Sequence, residues 1–454
     1  MTRRTLLLGA GTGALTVLVA SCTPEPTPRP TVAPTPTPQP DGALPAPTFM
    51  ARSAWSTDAF SFGAASFLPV GAQPQLREAL SAPISERLFF AGEATDPEDA
   101  GTMRGAIRSG ERVAQELRSA ALNGERIAVV GAGLAGATAA AALVAGGATV
   151  SVFDGRDRVG GRTDSRVTPD WPLPVQLGGW LLSAQDEELR ETFYSMNGRI
   201  ADIGSAVWIS NDGEVDTPET SFLESALAAA QKRAQDSSVA EAVTAVGGDP
   251  ADPALAALLA LQAATSGADA DRASSWFPPA LPPEGYAAPF IDFAALFEQH
   301  LEGAWVSLSS PVSRVAYDDT GVSLALGTGE SLTFDRVVMT VPLGVLQSDT
   351  VEFDPPLPFA HRGAIAGLAM GHIETVWLQF EEPFWNSEAD LWHLVGTDDV
   401  VRTWINLQPS TGENILVGVV GGSGVEAFAE MDDEELTSSI LKTLQIFEAE
   451  PTSG

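Results

Sequence analysis

Apolar residues in the middle of the chain fall into short runs punctuated by glycines and then into an alanine-rich stretch, which predicts strand, tight turn and helix in succession. Arg126-Ile127-Ala128-Val129-Val130 is the first strand; it runs straight into Gly131-Ala132-Gly133-Leu134-Ala135-Gly136, and a helix through Leu143 follows. Ala148 to Phe153 forms a second strand that ends at Asp154. Met103 to Leu117 is a helix upstream, and Gly371 to Phe380 a strand on which the neighbours Glu374 and Thr375 face opposite ways, leaving Glu374 structural or solvated. Residues Ser183 to Pro282 hold amphipathic helices, for example Phe222 to Gln235, expected to roof a pocket. Trp377, Phe384, Trp385, Trp392 and Trp404 lie on strand-like segments and are assigned first to the core, where large aromatics dominate.

The glycine turn carries chemistry as well as shape. Gly131, Gly133 and Gly136, with small Ala135 among them, let the backbone approach a pyrophosphate and leave the first helical amides aimed at it. Asp154 stands at the end of the second strand, where a carboxylate accepts hydrogen bonds from a ribose diol. Arg156 and Arg162 can add charge-assisted bonds to the phosphates. A glycine pattern alone often marks only a turn; strand, helix and terminal acid together predict a dinucleotide site.

Charge and composition narrow the classes. The 454 residues carry 25 Lys+Arg against 59 Asp+Glu, a formal net charge of −34, which disfavours nucleic-acid binding. One cysteine, Cys22, excludes an internal disulfide, and the histidines, His300, His361, His372 and His393, are not at metal-ligand spacing, so no metal site is expected. Arg3-Arg4, an apolar run from Thr5 to Ala20 and Val19-Ala20-Ser21-Cys22 resemble a bacterial lipoprotein signal of twin-arginine type, with Cys22 as the lipidated residue; a buried helix with a chance cysteine is the alternative. The proline-rich stretch from Thr23 to Pro47 is expected to form an extended spacer reaching up to about 75 Å at ~3.1 Å per residue. These features predict a globular part tethered at the outer face of the bacterial cytoplasmic membrane.

Asp157-Arg158-Val159-Gly160-Gly161-Arg162 after the second strand resembles the flavin-dependent amine oxidase family, in which this stretch touches the FAD pyrophosphate. Gly178-Gly179-Trp180 is similar to the family segment passing near the isoalloxazine, and Ser310 to Val315 to the strand bracketing the adenine, with Val312 at the contact. Asp335 to Leu346 and Pro355 to Pro358 extend the likeness. The resemblance implies an α/β fold: a Rossmann-type FAD-binding domain, residues 81–182 and 305–346, and a substrate domain of mixed sheet plus helices, residues 49–80, 183–304 and 347–454, after a signal at 1–22 and a linker at 23–48. It also implies noncovalent FAD, because Ala64 stands where some members attach flavin through cysteine.

In that family the second flavin signature lies near the C-terminus. Here Leu88 to Thr95, containing Glu93, and Gly101-Thr102-Met103-Arg104-Gly105-Ala106 precede the glycine turn, so the order is read as a circular permutation closed by the connector Ser119 to Glu125; a misplaced fragment is the alternative. By the resemblance, Glu93 binds the ribityl side of FAD, and the helix opening at Thr102-Met103 points its positive end at the flavin pyrimidine.

The resemblance further implies hydride transfer from the carbon beside a neutral amine to flavin N5, giving an imine that water hydrolyses. Three positions depart from it. Thr375 stands where relatives carry a lysine, and the two lysines present, Lys232 and Lys442, lie on expected surface helices. Ala65 and Thr102 stand where monoamine oxidases place a tyrosine pair, leaving Trp180 or Trp377 to line the pocket from elsewhere. The expected pocket is therefore Ala65, Thr102, Trp180, Thr375 and Trp377, serving a small amine or amino acid. A flavin dehydrogenase or desaturase with a non-oxygen acceptor, and a flavin-fold binding protein without turnover, remain the competing readings.

Overall fold

The computed structural model describes residues 44–118, 124–183, 186–195, 198–281 and 285–448. The expected signal, the lipidation residue Cys22, most of the spacer and most of the connector after Arg118 lie outside the described residues.

The strands Arg126–Val130 and Thr149–Phe153, the second expected from Ala148, pair in parallel, and Trp305–Ser307, Arg336–Met339 and Leu88–Phe90 extend them to a five-stranded sheet. All its pairings are parallel. Such a sheet is covered on both faces, which is why Ile127, Ala128 and Val129 are consecutive and fully buried. The helices Met103–Arg118 and Leu134–Ala145 pack together on this sheet. Gly110 permits their approach, because a Cβ there would lie 2.5 Å from the Ala135 carbonyl oxygen.

A seven-stranded mixed sheet forms the second layer, in the order Phe49–Arg52, Ile373–Gln379, Ile415–Gly421, Thr403–Asn406, Leu391–Leu394, Ala206–Ser210 and Gly213–Val215. Trp377, Trp392 and Trp404 are fully buried in it, Trp385 is 5% exposed and Phe384 packs beside them, as expected of core aromatics. Glu374 is also buried, and its carboxylate accepts from Ser53 Oγ at 2.5 Å and from Ser56 N and Oγ at 2.8 Å. It is structural, tying the chain after Phe49–Arg52 to the adjacent strand.

The helix expected over Phe222 to Gln235 runs over Ser221–Ala230 and stops before a run of exposed polar residues. Its buried face, Leu223, Ala226 and Leu227, packs with Phe67, Val239 and Val243, so it does not roof the cavity. Pro253–Ser266 does. Asp252 caps it by accepting from Ala254 and Leu255 amides, Pro253 starts it, and Gly267 ends it in left-handed backbone at φ 76°. Its apolar composition suits a helix laid on the mixed sheet, where Leu261, Ala264 and Thr265 reach the cavity.

Candidate active site

The glycine turn joins Arg126–Val130 to the helix at Leu134 through Gly131 at φ 113°. A Cβ at Gly136 would overlap the Gly131 carbonyl, so only glycine lets the helix sit this close to the turn. Asp154 closes the neighbouring strand, buried, with Oδ2 accepting from the Ala132 amide and Oδ1 from the Arg156 amide, both at 2.8 Å. Burial raises its carboxyl above the ordinary range; the two amides only partly offset this. The loop after Asp154 returns over the turn, where the Gly160 amide donates to the Ala132 carbonyl at 2.9 Å.

Glu93 is the second buried carboxylate. Its Oε2 accepts from Ser66 Oγ at 2.6 Å and from the Gly101 amide at 2.8 Å, and its Oε1 accepts from Arg162 Nη1 at 2.9 Å. Burial pushes the carboxyl up, but Arg162, Ser66 and Arg77 outweigh it and hold Glu93 below the usual range. One carboxylate thus joins the strand Ala65–Phe67, the approach to the helix at Met103 and the loop at Arg162. Thr102 Oγ1 accepts from the Gly105 amide at 3.0 Å, capping that helix.

These parts surround one cavity of about 910 Å³. Gly131, Gly133, Ala135, Gly136, Asp154, Arg156, Gly161, Arg162, Gly178, Gly179, Trp180, Val312, Glu93, Thr102 and Met103 line it, as do Ala65 and Thr375. Trp377 does not, which corrects its place in the expected pocket. It is fully buried, donates from Nε1 to the Gln176 carbonyl at 3.0 Å, and packs against Trp180 with ring centroids 5.3 Å apart. Alternation puts it on the same side of its strand as Ile373 and Thr375, but Trp180 lies over it and takes the cavity-facing place. Lys442 is exposed on the helix Asp433–Leu444, and Lys232 is exposed in the turn just past the helix that ends at Ala230 rather than on a helix.

Sequence reasoning missed Tyr286, His393, Thr403 and the Arg104–Asp186 pair, all of which line the cavity. Tyr286 is pushed up to about 12 and His393 down to about 4, each by burial. Two signals were present: only three tyrosines occur in the chain, and His393 stands two residues from Leu391, on the same face of a short apolar strand.

The donor set suits a dinucleotide. A glycine cradle and arginine-bearing loops meet the needs of a pyrophosphate, and a buried strand-end acid those of a ribose diol. Residues 40–118 and 216–453 match the family model for flavin-containing amine oxidoreductase, and residues 129–196 match a Rossmann-like NAD(P)-binding domain. The chain belongs to the flavin-containing amine oxidoreductase family. This oxidoreductase is 25% identical over 364 residues to polyamine oxidase 4 of Oryza sativa subsp. japonica, covering 72% of this chain and 74% of that protein. It is 25% identical over 352 residues to polyamine oxidase 2 of Arabidopsis thaliana, covering 70% of this chain and 71% of that one. Putrescine oxidase bound to putrescine shares the fold at a TM-score of 0.55 and 19% identity, over 72% of this chain and 83% of that chain. The cofactor of this oxidoreductase is FAD.

Proposed function

We propose that this flavin-dependent oxidoreductase oxidises a small-molecule amine inside the cavity shared by the glycine turn and Glu93. Bound FAD supplies the hydride acceptor. The glycine-turn amides with Arg156 and Arg162 hold its pyrophosphate, Asp154 its ribose, Glu93 its ribityl side, and Val312 its adenine. The helix opening at Thr102-Met103 favours negative charge at the ring beyond Gly178-Gly179-Trp180. Packed apolar walls from Leu261, Ile373, Leu391 and Val419 exclude water around the reacting carbon. The carrying observation is that both carboxylates and the glycine turn line one cavity.

An amine is favoured over an amino acid because, of the three arginines that line the cavity among the described residues, Arg156 and Arg162 are given to the pyrophosphate and Arg104 faces Asp186 at 2.6 Å. None is left for an α-carboxylate. Purified yellow protein whose flavin bleaches anaerobically with an amine supports this reading; protein that cannot be loaded with FAD overturns it. Thr375, in place of a lysine, favours a non-oxygen electron acceptor, and bleaching without peroxide release on aeration would support that.

The chain is read as a circular permutation, with an FAD domain of residues 81–182 and 305–346 and a substrate domain of 49–80, 183–304 and 347–454. Supporting it, Leu88–Phe90 pairs in parallel with Arg336–Met339, and Leu44 and Phe447 pack in one apolar cluster. A rearranged chain that begins at residue 124, ends at 118 and joins 448 to 44 through a linker should fold and bind FAD. Arg3-Arg4, the apolar run and Cys22 support export and lipid anchoring at the outer face of the bacterial cytoplasmic membrane, and Cys22→Ala should abolish incorporation of labelled fatty acid into the protein.

A further inference from the structure

Four side chains line the cavity as one row across the mixed sheet. Cross-strand pairing sets Thr375 opposite Val419, Val419 opposite Thr403, and Thr403 opposite His393. The row stops there: Trp208, paired with His393 on the next strand, packs on the imidazole with ring centroids 4.4 Å apart and does not line the cavity. Three strand spacings of ~4.8 Å put Thr375 and His393 about 14 Å apart. A hydrogen-bond length at each end leaves about 8 Å for a ligand.

The row is polar at both ends and uncharged along its length. Thr375 Oγ1 and His393 Nδ1 have no hydrogen-bond partner, although the residues are only 8% and 5% exposed. Buried histidines more often satisfy a structural bond, as His361 does through Nε2 to the Ala82 carbonyl at 2.8 Å; His393 makes none. Its depressed basicity keeps the ring neutral near pH 7. Among the described residues, the acids lining the cavity are all engaged: Glu93 with Arg162, Asp99 with Arg108, Asp186 with Arg104, and Asp154 with two backbone amides. A second ammonium group laid along this row would therefore be buried with no counter-ion, which is strongly unfavourable.

We propose that His393 holds the far end of the substrate, and that it selects an amine whose other end carries an uncharged hydrogen-bonding group, such as an amide, over a diamine. The reacting amine lies near Thr375 and the distal amide meets the imidazole. The inference rests on the amine reading given above.

Anaerobic flavin reduction by 1,4-diaminobutane, its mono-N-acetyl derivative and n-hexylamine tests it. The acetylated amine should exceed the diamine in kcat/KM by at least about tenfold. His393→Phe should lower the ratio of kcat/KM on the acetylated amine to that on hexylamine about five- to tenfold, while His393→Gln, which keeps a hydrogen-bonding group, restores most of the preference. The inert ligand N-butylacetamide should raise the Tm of the wild type and not that of His393→Phe. Preference for the diamine, an acetyl preference unchanged in His393→Phe, or no Tm rise in the wild type overturns this inference alone. Failure of all three amines to reduce the flavin overturns the amine reading and this inference with it.

Discussion

Arg162 donates to Glu93 at 2.9 Å inside the cavity wall, joining the loop that follows the glycine turn to the segment that precedes it in the chain. Glu93 is 4% exposed, so the contact is made in a largely dry environment, and Arg77 supports it through Ser66 Oγ at 2.7 Å.

Breaking this pair from one side leaves a buried charge uncompensated. Arg162→Met should cost about 3–5 kcal/mol in urea unfolding, and lower the flavin content of the purified protein. A loss below about 1 kcal/mol would mean that Arg77 and Ser66 alone hold the carboxylate.

The pH dependence has a definite sign. Because Glu93 is held below its ordinary value of 4.5, its contribution is fully present above that value and is lost as pH falls through its lowered folded-state value. Thermal unfolding between about pH 3 and 6 should show a falling Tm toward acid, with a shallower slope in Glu93→Gln. Asp154, raised by burial, opposes this trend, so Asp154→Asn should steepen the slope.

Gly136→Ala tests the cradle. The added methyl meets the Gly131 carbonyl and lies 2.9 Å from Thr340 Oγ1, which itself donates to the Val130 carbonyl at 2.9 Å. Overpacking here should cost about 1–3 kcal/mol. The ratio of flavin to protein absorbance should fall with it.

Thr375→Val removes a buried hydroxyl that has no partner. Stability without substrate should rise by about 1 kcal/mol, since an unsatisfied polar atom is replaced by a methyl of similar shape. Chemical denaturation checks this, and a loss of stability would show that Oγ1 is already paired.

Trp377→Phe separates packing from substrate contact. It deletes the bond to the Gln176 carbonyl and part of the ring contact with Trp180, and should cost about 2–3 kcal/mol. With Trp377 outside the cavity lining, KM for any amine that reduces the flavin should stay within about twofold.

The amino-acid pattern alone placed the strand Arg126–Val130, the glycine turn, the helix behind it and Asp154, because phosphate and ribose recognition is built from consecutive residues whose spacing is local. Their place on strand-like segments likewise assigned Trp392 and Trp404 to a core, where they are fully buried. Tertiary structure alone decided which side chains share the cavity. Thr375, Thr403 and His393 come from three strands and meet only through cross-strand register, Trp377 is displaced from the wall by Trp180, and the roof is Pro253–Ser266 instead of Ser221–Ala230. Helical or strand period fixes which side of an element is apolar, but the surface that covers it is chosen by packing between segments distant in sequence, and local pattern carries no information about that choice.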